Sequence, residues 1–180
     1  MDYKTTVEQL HRPSTRCQAA EALAKLGDHL ALLDLMEAYE TSYEGSALCL
    51  LDAMQALGGA AAADALFDRA APEQARLIVH LMELFPDDAH LPRLRLALAS
   101  PDERLRAQAR RSLSTQRQSP AWIAMLIELL GAADPADRLQ AIESLVRRPE
   151  EEIQSALRGR LALETNAEVL ARLKARILRP

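Results

Sequence analysis

Apolar positions in this chain repeat with a helical period, and polar residues separate them in short blocks. The clearest stretch begins at Ser119, where Ile123, Leu126, Ile127 and Leu130 form an i, i+3, i+4, i+7 stripe. Trp122, Met125 and Leu129 form a second stripe beside it, leaving only Ala121, Ala124 and Glu128 for solvent. So wide an apolar arc requires neighbours on more than one side. Helix ends are equally legible. Ser119-Pro120, Asp134-Pro135 and Ala71-Pro72 place proline in a first helical turn, where its missing N–H does no harm. Thr15…Gln18, Thr41…Glu44, Ser100…Glu103 and Thr165…Glu168 have the spacing of a capping box. Gly27, Gly58 and Gly131 follow apolar stretches as C-terminal caps. These marks predict a short lead helix near 6–11 and helix pairs at about 15–39, 43–70, 73–99, 101–131 and 135–163. A capping helix over about 166–178 completes a single domain spanning 1–180. Pro92 is the one proline whose place this pattern leaves open.

One phrase recurs. Arg16, Ala19 and Leu23 return with the same spacing as Arg106, Ala109 and Leu113, and again as Arg138, Ala141 and Leu145. Asp102 and Asp134 stand four residues ahead of the last two arginines. Leu26-Gly27 recurs at Leu57-Gly58, a step of 31, and Leu113 to Leu145 is a step of 32. The third pair is degenerate. A single helix pair cannot bury its own apolar face, so pairs with this recurrence must stack.

The phrase Arg-x-x-Ala-Ala-x-Ala-Leu-x-x-Leu-Gly-Asp at 16–28, with Asp-x-x-x-Arg-x-x-Ala-x-x-Ser-Leu at 102–113 and 134–145, resembles HEAT-like repeats, in the short-repeat branch also seen in phycobilin lyases. The resemblance implies an all-α fold, a right-handed α-α superhelix of about five helix pairs. It also implies that Arg16, Arg106 and Arg138 are structural ties between turns, and that the second helix of each pair lines a concave side. It carries no catalytic information, because function belongs to sites placed on a fold.

Composition agrees with helices: 49% of residues are hydrophobic, mostly Leu and Ala, and only 3% are aromatic. Net charge is −4 but unevenly placed. Residues 1–90 carry six Lys/Arg against fifteen Asp/Glu (−9), and residues 91–180 carry sixteen against eleven (+5). Such bipolarity leaves a monomer or weak head-to-tail self-association as the expected states. No uncharged run reaches the length of a membrane span. The polar start of the chain and its two cysteines point to the cytoplasm, with Cys17 and Cys49 as reduced core residues; a disulfide between neighbouring helices is the alternative.

Candidate chemistry is sparse. The four histidines lie in different elements without metal-ligand spacing, and no nucleophile–base pair or phosphate loop appears. Neither an enzyme, a metal nor a cofactor is expected. Outward positions on the second helices of the first two pairs are all acidic: Asp34, Glu37, Asp64 and Asp68. Later pairs offer Arg93, Glu128, Glu152 and Arg158. The leading expectation is therefore a non-enzymatic protein-interaction module or adaptor, holding a partner with a basic surface on its concave face. The alternative is nucleic-acid binding, as in HEAT-like DNA glycosylases, through Arg104, Arg106, Arg110, Arg111 and Arg117 with Arg147, Arg148, Arg158 and Arg160. The acidic first half and the lack of interleaved aromatics weigh against it. A bilin-lyase role, suggested only by the repeat subclass, lacks an evident pocket. Trp122 is expected at a contact between helices.

Overall fold

A computed structural model describes residues 2–42, 44–116 and 119–177, apart from the side chains of residues 44 and 176. Among these residues the regular structure is helical: α1 (Tyr3–Leu10), α2 (Arg16–Leu26), α3 (Ala31–Glu40), α4 (Glu44–Ala56), α5 (Gly59–Phe67) and α6 (Pro72–Leu84). A 3-10 turn (Asp88–His90) leads into α7 (Leu91–Leu98), followed by α8 (Glu103–Thr115), α9 (Pro120–Leu129), α10 (Pro135–Leu145), α11 (Glu151–Leu163) and α12 (Ala167–Ile177). Residue 178, the expected end of the last helix, lies outside the described residues.

Caps fix where the helices begin, and four starts differ from expectation. Asp2 accepts from the Thr5 amide at 2.8 Å, so the lead helix starts at Tyr3 rather than near 6. The Thr15 hydroxyl turns back to the Gln9 carbonyl and caps nothing. Asp102 and Asn166, not Ser100 and Thr165, accept the first free amides of α8 and α12. A carboxylate two places nearer the helix, or an amide oxygen one place nearer, satisfies those donors better than the hydroxyl does. The Glu44 half of the Thr41 capping box lies outside the described side chains. Pro72, Pro120 and Pro135 occupy first turns as expected, and Pro92 proves to be one more such residue, in the first turn of α7. Gly27 and Gly58 are left-handed, whereas Gly131 is not. At Gly58-Gly59 the chain bends by 73° between α4 and α5. A Cβ on Gly59 would meet the Phe85 ring at 3.3 Å, so the bend and the close approach both require glycine there.

The helices divide into two compact units, one ending at Ser112 and the other starting at Leu113. In the first, α2 packs on α1 and α4, α3 on α4 and α6, and α5 on α6. Leu23, Leu35, Leu50, Met54, Ile78 and Leu81 are fully buried there. In the second, α9 packs on α10, and both α10 and α11 pack on α12 around Trp122, Leu126, Ile142, Leu157 and Leu173. Each such side chain contributes about 1.5–3 kcal/mol by leaving water. Among the described residues no single helix is long and apolar enough to cross a membrane.

The cysteines depart from expectation. Cys17 and Cys49 form a disulfide that joins α2 to α4, with Cα atoms 5.4 Å apart. Cys17 is exposed and Cys49 half-buried, so neither is a core residue. The expectation of two reduced thiols is therefore corrected, and the alternative of a disulfide between neighbouring helices is the one the structure has. The reason is geometric: the two lie 32 residues apart, one repeat step, and so face each other on consecutive first helices.

Candidate interaction surface

The recurring arginines share one task. Arg16 donates from Nε to the Leu10 carbonyl at 2.7 Å, Arg106 from Nη1 to the Ser100 carbonyl at 2.7 Å, and Arg138 from Nη1 to the Ala132 carbonyl at 2.8 Å. In each case the acceptor lies six residues back, at the end of α1 for Arg16 and in the turn that precedes the helix for Arg106 and Arg138. Arg106 and Arg138 add the next carbonyl, of Pro101 and Ala133. Arg16 also reaches the Ser46 hydroxyl of the following repeat at 3.1 Å. These are ties that hold turns to helices, not an anion row. Trp122 is likewise structural: only 2% exposed, it donates from Nε1 to the Leu113 carbonyl at 2.8 Å, and the Arg148 guanidinium stacks 5.5 Å from its ring centre.

The acidic positions separate into two groups. On α5, Asp64 and Asp68 meet Arg93 of α7. Arg93 Nε and Nη2 donate to Asp68 at 3.1 and 2.6 Å, and Nη1 lies 3.3 Å from Asp64. This contact holds the Asp68 carboxyl below its ordinary value. Asp64 also meets Nδ1 of the fully buried His90 at 2.9 Å, while His90 Nε2 lies 2.9 Å from the Phe85 carbonyl. The structure thus brings Asp64, Asp68 and Arg93 together and balances much of their charge internally.

On α3 the charge is left over. Asp34 accepts from the Tyr3 hydroxyl, a neutral donor whose burial and proximity to Asp34 raise its pKa. Glu37 is exposed. One turn on, Glu40 is matched: it takes a bidentate pair from Arg76 of α6 at 2.8 Å, which lowers its pKa, and meets His80 at 3.1 Å. Sequence spacing gave no sign of this pair, because its partners lie 36 residues apart.

Glu128, Glu152 and Arg158 lie exposed in the second unit, Arg158 beside Glu151 at 2.6 Å. Several arginines of the nucleic-acid alternative are also engaged. Arg106 and Arg110 both contact Glu103, Arg111 contacts Gln108, Arg148 pairs with Glu150 and Arg160 with Glu164. Arg117 lies outside the described residues.

Between α3 and α5 runs an open groove of about 490 Å³. Leu30 and Leu33 form one wall, Ala62, Ala65 and Leu66 the other, and Ile78 of α6 the floor. Leu30 stands on the rim with 60% of its surface exposed, and Leu26 at the end of α2 is 55% exposed. Leu30, Leu33 and Glu37 are spaced to share one face of α3. Sequence reading placed only the carboxylates on this side. Exposed leucines flanking the Gly27 turn were the signal that would have marked the groove.

Residues 91–175 match the family described as HEAT repeats. The matched HEAT stretch covers α7 to nearly all of α12, whereas the fullest copy of the repeated phrase, at 16–28, lies outside it. No curated protein matches the sequence. Among solved structures, the chain is similar to an engineered protein at 17% identity, with 99% of this chain and 96% of that one covered and a TM-score of 0.47. It is also similar to the complex of CpcE and CpcF of phycocyanin lyase from Nostoc sp. PCC7120, at 18% identity. That similarity covers 97% of this chain and 80% of the other, with a TM-score of 0.34.

Proposed function

We propose that this HEAT-like chain is a non-enzymatic protein-interaction module, and that its first unit holds a partner along α3 through Asp34 and Glu37. The observation that carries the reading is the difference between the two acidic helices. Asp64 and Asp68 are matched by Arg93, an ion-pair link from α5 to α7, while among the described residues Asp34 meets only a neutral phenol, and Glu37 is exposed. The unit up to Ser112 carries twelve Lys/Arg against seventeen Asp/Glu, a formal −5, which adds a long-range pull on a basic partner. Asp68, Glu128, Glu152 and Arg158 are further exposed positions of the same kind but with less uncompensated charge around them.

The test is a salt series with the partner captured from source cells. The Asp34→Asn, Glu37→Gln double variant weakens binding by about tenfold and flattens its salt dependence. Unchanged affinity and slope would remove α3 as the docking helix. Binding instead to duplex or single-stranded DNA with a steep salt slope would favour nucleic-acid recognition.

A further inference from the structure

We propose that the groove between α3 and α5 takes an amphipathic helix of a partner protein that presents two apolar side chains and one carboxylate, the carboxylate pairing with Arg69. This deepens the reading above, on which it rests: the basic surface of the partner faces Asp34 and Glu37, and the seated helix enters beside them.

The shape of the site argues for a helix. α3 and α5 both pack on α6 but scarcely on each other, so a furrow remains between them with Ile78 at its base. The α5 wall is alanine at 62 and 65, which leaves the furrow unfilled and lets another backbone approach closely. At about 490 Å³ it has the size of a pocket for a few apolar side chains. Leu30 on the rim is a preformed apolar contact, and seating a helix across it removes that leucine from water. A groove of this form between two helices is the usual seat for an amphipathic helix read through anchors one turn apart.

Charge identifies the third feature of the occupant. Arg69 lines the groove and is exposed, and its side chain makes no hydrogen bond or salt bridge among the described residues, although its charge also acts on the neighbouring Asp68 carboxylate. Its neighbour in sequence, Asp68, is turned to Arg93 in a two-point contact and so is committed elsewhere. Asp28, the carboxylate on the opposite lip, accepts the Leu30 amide at 2.9 Å and holds the turn. Within the groove this guanidinium is locally complementary to a carboxylate and repels a lysine, against the long-range negative field of the unit.

The experiment uses the full chain and a labelled amphipathic helical peptide with two leucines one turn apart and a glutamate on the same face. A second peptide carries lysine in place of that glutamate. Fluorescence anisotropy gives affinity, and amide shifts map the site. The glutamate peptide is expected to shift the amides of Leu30, Ala65 and Arg69 and to bind at least tenfold more tightly than the lysine peptide. Arg69→Glu reverses that preference, and Leu30→Asp abolishes binding of both. An unreversed preference overturns the role of Arg69. Shifts elsewhere, no binding by either peptide, or equal binding of decanoate with unchanged affinity in Leu30→Asp overturn the groove as a helix seat. Concentration-dependent dimerisation that protects Leu30 would assign the groove to a second copy and equally overturn the proposal. Failure here with an intact effect of Asp34→Asn, Glu37→Gln would leave the α3 surface standing, so the two readings fall separately.

Discussion

Arg138 grips Glu164 with two parallel hydrogen bonds, Nε to Oε2 and Nη2 to Oε1, both at 2.9 Å. Glu164 ends α11, and its buried carboxylate also accepts from Arg160 and from the Thr165 and Asn166 amides. One carboxylate therefore binds α10, α11 and the start of α12.

That convergence makes stability pH-dependent in acid. The Arg138 guanidinium first, then the Asn166 amide and Arg160, hold the Glu164 carboxyl at about 2, against an ordinary value of 4.5. The folded value is depressed, so the contribution is complete above about pH 4.5 and is lost as pH falls towards 2. Its size is roughly 2–3 kcal/mol. Denaturant titrations at neutral pH and at pH 3 measure it. Glu164→Gln should lower stability at neutral pH by roughly 3 kcal/mol, since it leaves Arg138 buried and unpaired, and should flatten the acid limb. An acid limb as steep as in the parent would contradict this assignment.

The disulfide closes a loop between residues 32 apart. Loop entropy then predicts a contribution of about 3–4 kcal/mol. Reduction, or the double change of Cys17 and Cys49 to serine, is expected to lower the melting temperature while leaving the helical circular dichroism intact, because the Arg16–Ser46 bond and the buried Ala20 and Leu23 still hold α2. Free thiols counted before and after reductant check that the bond is formed. An unaltered melting temperature would show that the link carries no stability.

Trp122→Phe keeps most of the apolar area but removes the donor to the Leu113 carbonyl and shrinks the surface under Arg148. The expected cost is roughly 1–2 kcal/mol by thermal or denaturant unfolding, mostly from the carbonyl left without its partner in the core.

His90→Ala removes a fully buried ring that meets both Asp64 and the Phe85 carbonyl. About 2–4 kcal/mol should be lost, from the cavity and the lost polar contacts of the ring together. Hydrogen exchange should show the loss around the 3-10 turn and the start of α7 before it reaches α2.

Local signals made the helices legible. The double stripe of α9, the prolines at 72, 120 and 135 and the glycines at 27 and 58 all act within one turn of themselves, and they stand where their residue types predict. What escaped were relations between distant residues. Arg93 reaching back 25 residues to Asp68, or Arg76 reaching 36 to Glu40, depends on how one repeat settles on another. The four carboxylates looked alike in sequence because solvent exposure can be read from periodicity, whereas a partner's arrival from the next element cannot. Cys17 and Cys49 were the exception. Their separation equals the repeat step, which alone places them side by side, but residue type suggested burial and outweighed register.

The same covalent link governs how the molecule would yield to a pulling force. Tension applied at the two ends passes through the sulfur bridge and bypasses the 32-residue segment that it spans. That segment stays slack, withholding about 110 Å of contour until a reductant severs the bridge. A tether attached at either terminus would feel α2 and α4 as one mechanical element.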